Sequence, residues 1–74
     1  MVKACILIKV VPTRVEQVLD RVRRLGEARK VYPVYGRWDI VAFIEVPEYR
    51  RLKELTGEIN RLEGVRSTET LAEA

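Results

Sequence analysis

The run Asp39 to Val46 constrains this chain more than any other feature. Ile40, Val41, Ala42, Phe43, Ile44 and Val46 follow one another, and only Glu45 breaks the run. A strand that is apolar on both faces belongs inside a sheet that is covered on both sides. The chain has only 74 residues, enough for one domain. Such a domain buries about 60% of the surface its unfolded chain exposes, so as a monomer it is marginal. Small domains gain stability from covalent staples, metals or self-association. Cys5 is the only cysteine and there is no histidine. An intrachain disulfide is therefore impossible, and a Cys/His zinc site, like any other metal or cofactor, is not expected. Self-association is the expected solution.

Strand and helix signals alternate along the rest of the chain. Val2 to Val11 read as a first strand, with Ala4, Ile6, Ile8 and Val10 on one face and Lys3, Cys5, Leu7, Lys9 and Val11 on the other. Pro12 stops it. Thr13 and Glu16 have the spacing of a capping box opening a helix. Its apolar stripe is Val15, Val18, Leu19, Val22 and Leu25, and Gly26 reads as a left-handed terminator. A second strand is expected from about Arg29 to Tyr35. Pro33 cannot donate to a ladder, which assigns that strand to a sheet edge. After the central run, Pro47 and Glu48 start a second helix, with Pro47 suited to its first turn. Leu52, Leu55, Ile59 and Leu62 form its stripe. Gly64 ends it, and Val65 to Ala72 form the last strand.

The order is βαββαβ, an α+β ferredoxin-like sandwich with both helices on one face of the sheet. The other face carries Cys5, Leu7 and one side of the third strand. It is too apolar for water, and pairing sheet to sheet with a second copy, as a dimeric α/β barrel, is the simplest cover.

Between the second and third strands lies Tyr35-Gly36-Arg37-Trp38-Asp39, read as a tight turn. Gly36 frees the backbone and Asp39 supplies a carboxylate. These residues serve many hairpins as pure turn formers, and both readings stand at this point. Trp38 suits packing as well as a ligand wall. Cys5 has no acidic or histidine partner and reads as an inert thiol. The basic clusters Arg21, Arg23, Arg24, Arg29, Lys30 and Arg50, Arg51, Lys53 are interleaved with acids, as solvated helix faces are.

Ala4 to Val10, Val31 to Ala42 and Gly64 to Leu71 together resemble the effector-binding half of the Lrp/AsnC (feast/famine) transcription regulators, called the RAM domain. The resemblance covers essentially the whole chain. It implies dimers through face-to-face sheets, assembled into rings of dimers, and amino-acid effectors held at contacts between dimers near the Gly36–Asp39 turn. In that setting turn N–H groups would receive the effector's carboxylate and Asp39 its ammonium. Tyr35, Arg37 and Trp38 would lie around the pocket, and Thr68 and Thr70 of an adjoining subunit would add hydroxyls. Family regulators carry a helix-turn-helix domain ahead of this module. Here the first strand begins at Val2, so the resemblance implies a stand-alone RAM domain over residues 1–74, without direct DNA binding. A full-length Lrp/AsnC regulator is a candidate partner. The expected function is a non-catalytic, amino-acid-binding, oligomerising module that modulates transcription regulators or amino-acid metabolism.

Two other functions compete. A small dimeric α/β-barrel enzyme would need an acid or base in an internal cavity, and Glu45 is its best candidate. An RNA-binding sheet would need stacking aromatics on the central strands. Phe43 is the only one there, and the glycine-aromatic motif of such modules is absent. A net charge of +3 permits nucleic-acid contact without arguing for it. A lone cysteine, no readable secretory signal and no membrane-length apolar run point to a cytoplasmic protein. An excess of Arg over Lys with few side-chain amides is compatible with a thermophile.

Overall fold

The computed structural model describes residues 1–73. In chain order they form β1 (Val2–Val10), one 3-10 turn (Pro12–Arg14), α1 (Val15–Arg23), β2 (Ala28–Pro33), β3 (Ile40–Val46), α2 (Tyr49–Asn60) and β4 (Val65–Ala72). The four strands lie in the order β2-β3-β1-β4, and every neighbouring pair is antiparallel. This is the expected βαββαβ ferredoxin-like arrangement. Pro33 ends β2 on the sheet edge, where its missing N–H costs no ladder bond.

The core follows from the period-2 alternation of the central strands. Ala4, Ile6, Ile8 and Val10 of β1 are buried with Ile40, Ala42, Ile44 and Val46 of β3. Register places small opposite large: Ala4 faces Ile44 and Ile6 faces Ala42. This fills the layer without overpacking it. Val18 and Val22 of α1 and Leu52, Leu55 and Ile59 of α2 close the same cluster. Both helices therefore cover one face, because both crossover connections turn with the same hand.

The opposite face has no cover among the described residues. Cys5 pairs in register with Phe43 on one side and Leu71 on the other, which makes an apolar band across three strands. Phe43 is 43% exposed and Leu71 55%. Tyr32 extends the band, with its ring edge-on to Phe43 at 6.2 Å. Burial raises the Cys5 thiol above its ordinary pKa, which disfavours a reactive thiolate.

Several local expectations are corrected. The Thr13–Glu16 capping box does not form, and α1 has no side-chain cap. Pro12 begins the winding early, the Arg14 N–H donates to the Val11 carbonyl at 2.8 Å, and Thr13 ends up inside the turn rather than ahead of the helix. Gly26 is not left-handed; among the described residues only Gly36 and Gly64 have positive φ. The chain leaves α1 through right-handed closures, Arg24 N–H to Arg21 O and Leu25 N–H to Val22 O. Pro47 lies just before the N-cap residue Glu48 and not in the first turn, since Glu48 is extended at φ −155°. Strands β1 and β2 stop short of Val11 and Tyr35, and β3 starts after Asp39.

Helix α2 is anchored by a guanidinium. Arg51 Nε donates to Glu27 Oε2 at 2.6 Å and its Nη1 to Glu58 Oε2 at 2.9 Å, with Glu54 at 3.6 Å. The hydrogen bond from Arg51 holds the Glu27 carboxyl below its ordinary pKa. A carboxylate with a lowered folded pKa stabilises the fold fully above its unfolded pKa and loses that contribution as pH falls through the folded value. Thermal melts of the native chain should thus weaken in the acid range below about pH 4–5. The Glu27→Gln variant should be less stable at neutral pH and lose less on acidification.

Gly57 is a weak point in α2. A helical glycine costs about 1 kcal/mol relative to alanine. A side chain there would meet only the Arg61 Nη1 at 3.5 Å, an ordinary contact. Gly57→Ala should therefore stabilise the protein by about 0.5–1 kcal/mol, read as a raised denaturation midpoint at unchanged slope.

Candidate functional site

The β2–β3 connection is a loop over residues 34–39, longer than the tight turn expected. The Val34 N–H closes it by donating to the Asp39 carbonyl at 2.9 Å. Gly36 has φ +114°, a conformation that side chains resist. Nothing lies within 4 Å of where its Cβ would stand, so glycine is required by conformation and not by crowding. Lys9 Nζ donates to the Arg37 carbonyl at 3.2 Å and ties the loop to β1. Sequence reading assigned Lys9 only to the open face of β1; its reach to the loop has no local signal.

Asp39 joins the loop to the sheet. Its N–H donates to the Ile8 carbonyl at 2.9 Å, and its Oδ2 accepts the Val10 N–H at 2.8 Å. The carboxylate thus takes over the ladder where β3 begins. The carboxylate clamps the loop to β1 and accepts no N–H of the turn itself among the described residues, so the expectation that it bonds turn amides is corrected. Its second oxygen, Oδ1, accepts no hydrogen bond from the described residues.

The loop presents a row of donors. The N–H groups of Tyr35, Gly36, Arg37 and Trp38 reach no acceptor among the described residues. Tyr35 is fully exposed, Arg37 is exposed, and Trp38 is half-buried. Backbone amides left unpaired in a turn can receive an anion such as a carboxylate.

Thr68 and Thr70 lie elsewhere. Both are on β4, the far edge strand, paired with Ile8 and Ile6 of β1. Ile8 pairs on its other side with Ile40, so β1 separates these threonines from the loop. Thr68 donates to Asn60 Oδ1 at 3.1 Å, and the Thr70 hydroxyl lies 3.3 Å from that of Thr56. Both hydroxyls turn toward α2. The chain gathers residues 35–39 into one loop and leaves Thr68 and Thr70 apart. A pocket using both sets needs two copies.

Glu45 gains no catalytic setting. It is half-exposed, Arg29 Nε lies 3.4 Å away, and the hollow beside it is open and holds about 110 Å³. No helix among the described residues is long and apolar enough to cross a membrane.

The family model of the Lrp/AsnC ligand binding domain matches residues 3–72. This chain belongs to that family. Among solved structures, TTHA0845 from Thermus thermophilus is 32% identical, with TM-score 0.96, over 100% of this chain and 94% of that one. The hypothetical protein PHS023 from Pyrococcus horikoshii is 24% identical, with TM-score 0.91, over 100% of this chain and 90% of that one. The feast or famine regulatory protein Rv3291c from M. tuberculosis, solved in complex with L-methionine, is 23% identical. It matches with TM-score 0.83 over 99% of this chain and 50% of that one, a likeness of fold alone. No curated protein sequence matches.

Proposed function

We propose that this Lrp/AsnC ligand-binding domain is a non-catalytic, cytoplasmic amino-acid sensor that works as a single RAM domain in dimers and rings of dimers. The observation that carries the binding reading is the donor row at residues 35–38. A free amino acid brings a carboxylate for those amides and an ammonium for Asp39 Oδ1. Tyr35, Arg37 and Trp38 would flank its side chain, and Thr68 and Thr70 of an adjoining subunit would complete the pocket. L-methionine in the M. tuberculosis relative is a ligand of this class. Action as a single domain is supported by the Thermus structure, 32% identical, of whose chain this module accounts for 94%. Its output would then pass through assembly state or through a full-length regulator of the family.

The dimer reading rests on the exposed apolar band Leu71–Cys5–Phe43–Tyr32 on the sheet face away from the helices. In sedimentation the native chain should run as a dimer or a multiple of one. Phe43→Lys should shift it toward monomer at micromolar concentration, because a charge at the centre of such an interface goes unpaired. A native monomer would refute the sheet-to-sheet assembly. Trp38 is the only tryptophan, so its fluorescence reports on the loop alone. A saturable change with at least one amino acid is expected; none with any of the twenty would refute binding there.

A further inference from the structure

Three consecutive residues of β1 carry the loop at residues 34–39. The Ile8 carbonyl accepts the Asp39 N–H, the Lys9 ammonium donates to the Arg37 carbonyl at 3.2 Å, and the Val10 N–H donates to Asp39 Oδ2. Two of these bonds end on Asp39, just ahead of β3. The bond from Lys9 alone reaches back into the row of free amides at residues 35–38.

That bond bears on one amide in particular. A peptide unit is planar, and none here is cis, so its C=O and N–H point in opposite directions. The Arg37 carbonyl shares its unit with the Trp38 N–H. Holding that carbonyl on Lys9 turns the Trp38 N–H away from the ammonium and fixes its direction. A cation on the oxygen also polarises the unit, which makes its N–H a stronger donor. The other free amides, of Tyr35, Gly36 and Arg37, share units with the carbonyls of Val34, Tyr35 and Gly36. Those carbonyls accept no hydrogen bond from the described residues.

Lys9 is half-buried, and the Arg37 carbonyl is the one acceptor its side chain meets among the described residues. Register offers it an alternative. Leu7 pairs with Glu69 and Lys9 with Ser67, so Glu69 stands diagonal to Lys9 across β1 and β4, a spacing that long side chains span. No ion pair forms there. The ammonium goes to the loop instead.

We infer that Lys9 is a positioning residue for anion binding at this loop: it orients and strengthens the Trp38 N–H as the leading donor to an incoming carboxylate. The inference rests on the donor-row reading of the loop and adds a residue outside the loop on which the row depends.

Amide NMR of the isotope-labelled full chain, with acetate as the probe, tests it. Acetate should shift the amides of residues 35–38 saturably, Trp38 most. In Lys9→Met, which keeps the apolar stem, the Trp38 amide nitrogen should move upfield before any acetate is added, as its unit loses the polarising cation. Acetate should then bind about three- to tenfold more weakly, with Trp38 losing its lead. Lys9→Arg keeps a cationic donor and should keep the native order. A Trp38 amide unmoved in ligand-free Lys9→Met, or acetate bound there as tightly as by the native chain, would overturn the role of Lys9 and leave the donor row standing. Weaker binding with Trp38 still in the lead would also overturn it, because Lys9 would then act through its charge alone. The same loss of lead in Lys9→Arg would count equally against it, since the cation is still in place. No saturable shift in the native chain would overturn the donor row itself, and the role of Lys9 with it.

Discussion

Gly64→Ala should destabilise this protein by about 3 kcal/mol, the combined effect of a forbidden backbone conformation and a steric clash. Gly64 has φ +99°, where an L side chain is strained whatever the space around it. Space is lacking as well: an added Cβ would stand 2.6 Å from Arg14 Cβ and 3.0 Å from Arg14 Cγ. The backbone cannot drift away, because the Gly64 carbonyl accepts the Val11 N–H at 2.8 Å and β4 begins at the next residue. In a domain of this size the loss corresponds to a fall in Tm of roughly 12–24 °C, measured at fixed protein concentration because assembly adds to stability. Arg14→Gly in the same chain should recover part of it by removing the clash while the strain at φ persists. A melt within about 2 °C of the native chain would mean that this junction is softer than its geometry states. The contrast with Gly57, where alanine should stabilise, separates a glycine the fold requires from one it merely tolerates.

Asp39→Ala should come next, with a loss of about 1.5–3 kcal/mol, the usual range for a hydrogen bond to a charged group. The Val10 N–H would lose its acceptor where β1 leaves the ladder, and the loop would lose its clamp to the sheet. Asp39→Asn keeps an oxygen at the same place and should cost less than half as much. The two variants also divide the roles given to this residue. If Asp39 Oδ1 receives an effector's ammonium, Asn should weaken binding while the fold stays close to native. If Asn binds as well as Asp, the carboxylate serves the turn only. Equal melts for Ala and native chain would contradict the clamp.

The fold was legible because its signals agree at every level. The apolar run at 40–46 demands β3 inside, Pro33 puts β2 at an edge, and the βαββαβ order adds β1 beside β3, all in agreement with the observed order. The capping box failed for a local reason: Pro12 fixes helical φ one residue ahead of Thr13, and a pattern match does not weigh that competition. Gly26 and Gly64 look alike in sequence, yet only Gly64 is left-handed, because what decides is the path to the following strand. The loop at 35–39 was legible as a feature, and its Gly36 as a conformational necessity. The attachment of Asp39 to Val10 and of Lys9 to Arg37 was not, since strand pairing brings those residues together across almost 30 positions. The Arg51 cluster was hidden for the same reason: Arg51 sits in a run that reads as an ordinary solvated helix face until tertiary packing brings Glu27 to it.

The proposed sensing of free amino acids by this Lrp/AsnC domain has a direct readout. Calorimetric titration of the native protein with each of the twenty amino acids, with oligomer mass followed in parallel, tests it most directly. Saturable heat is expected with at least one of them, accompanied by a change in assembly. No heat from any of the twenty at millimolar concentration would contradict the claim.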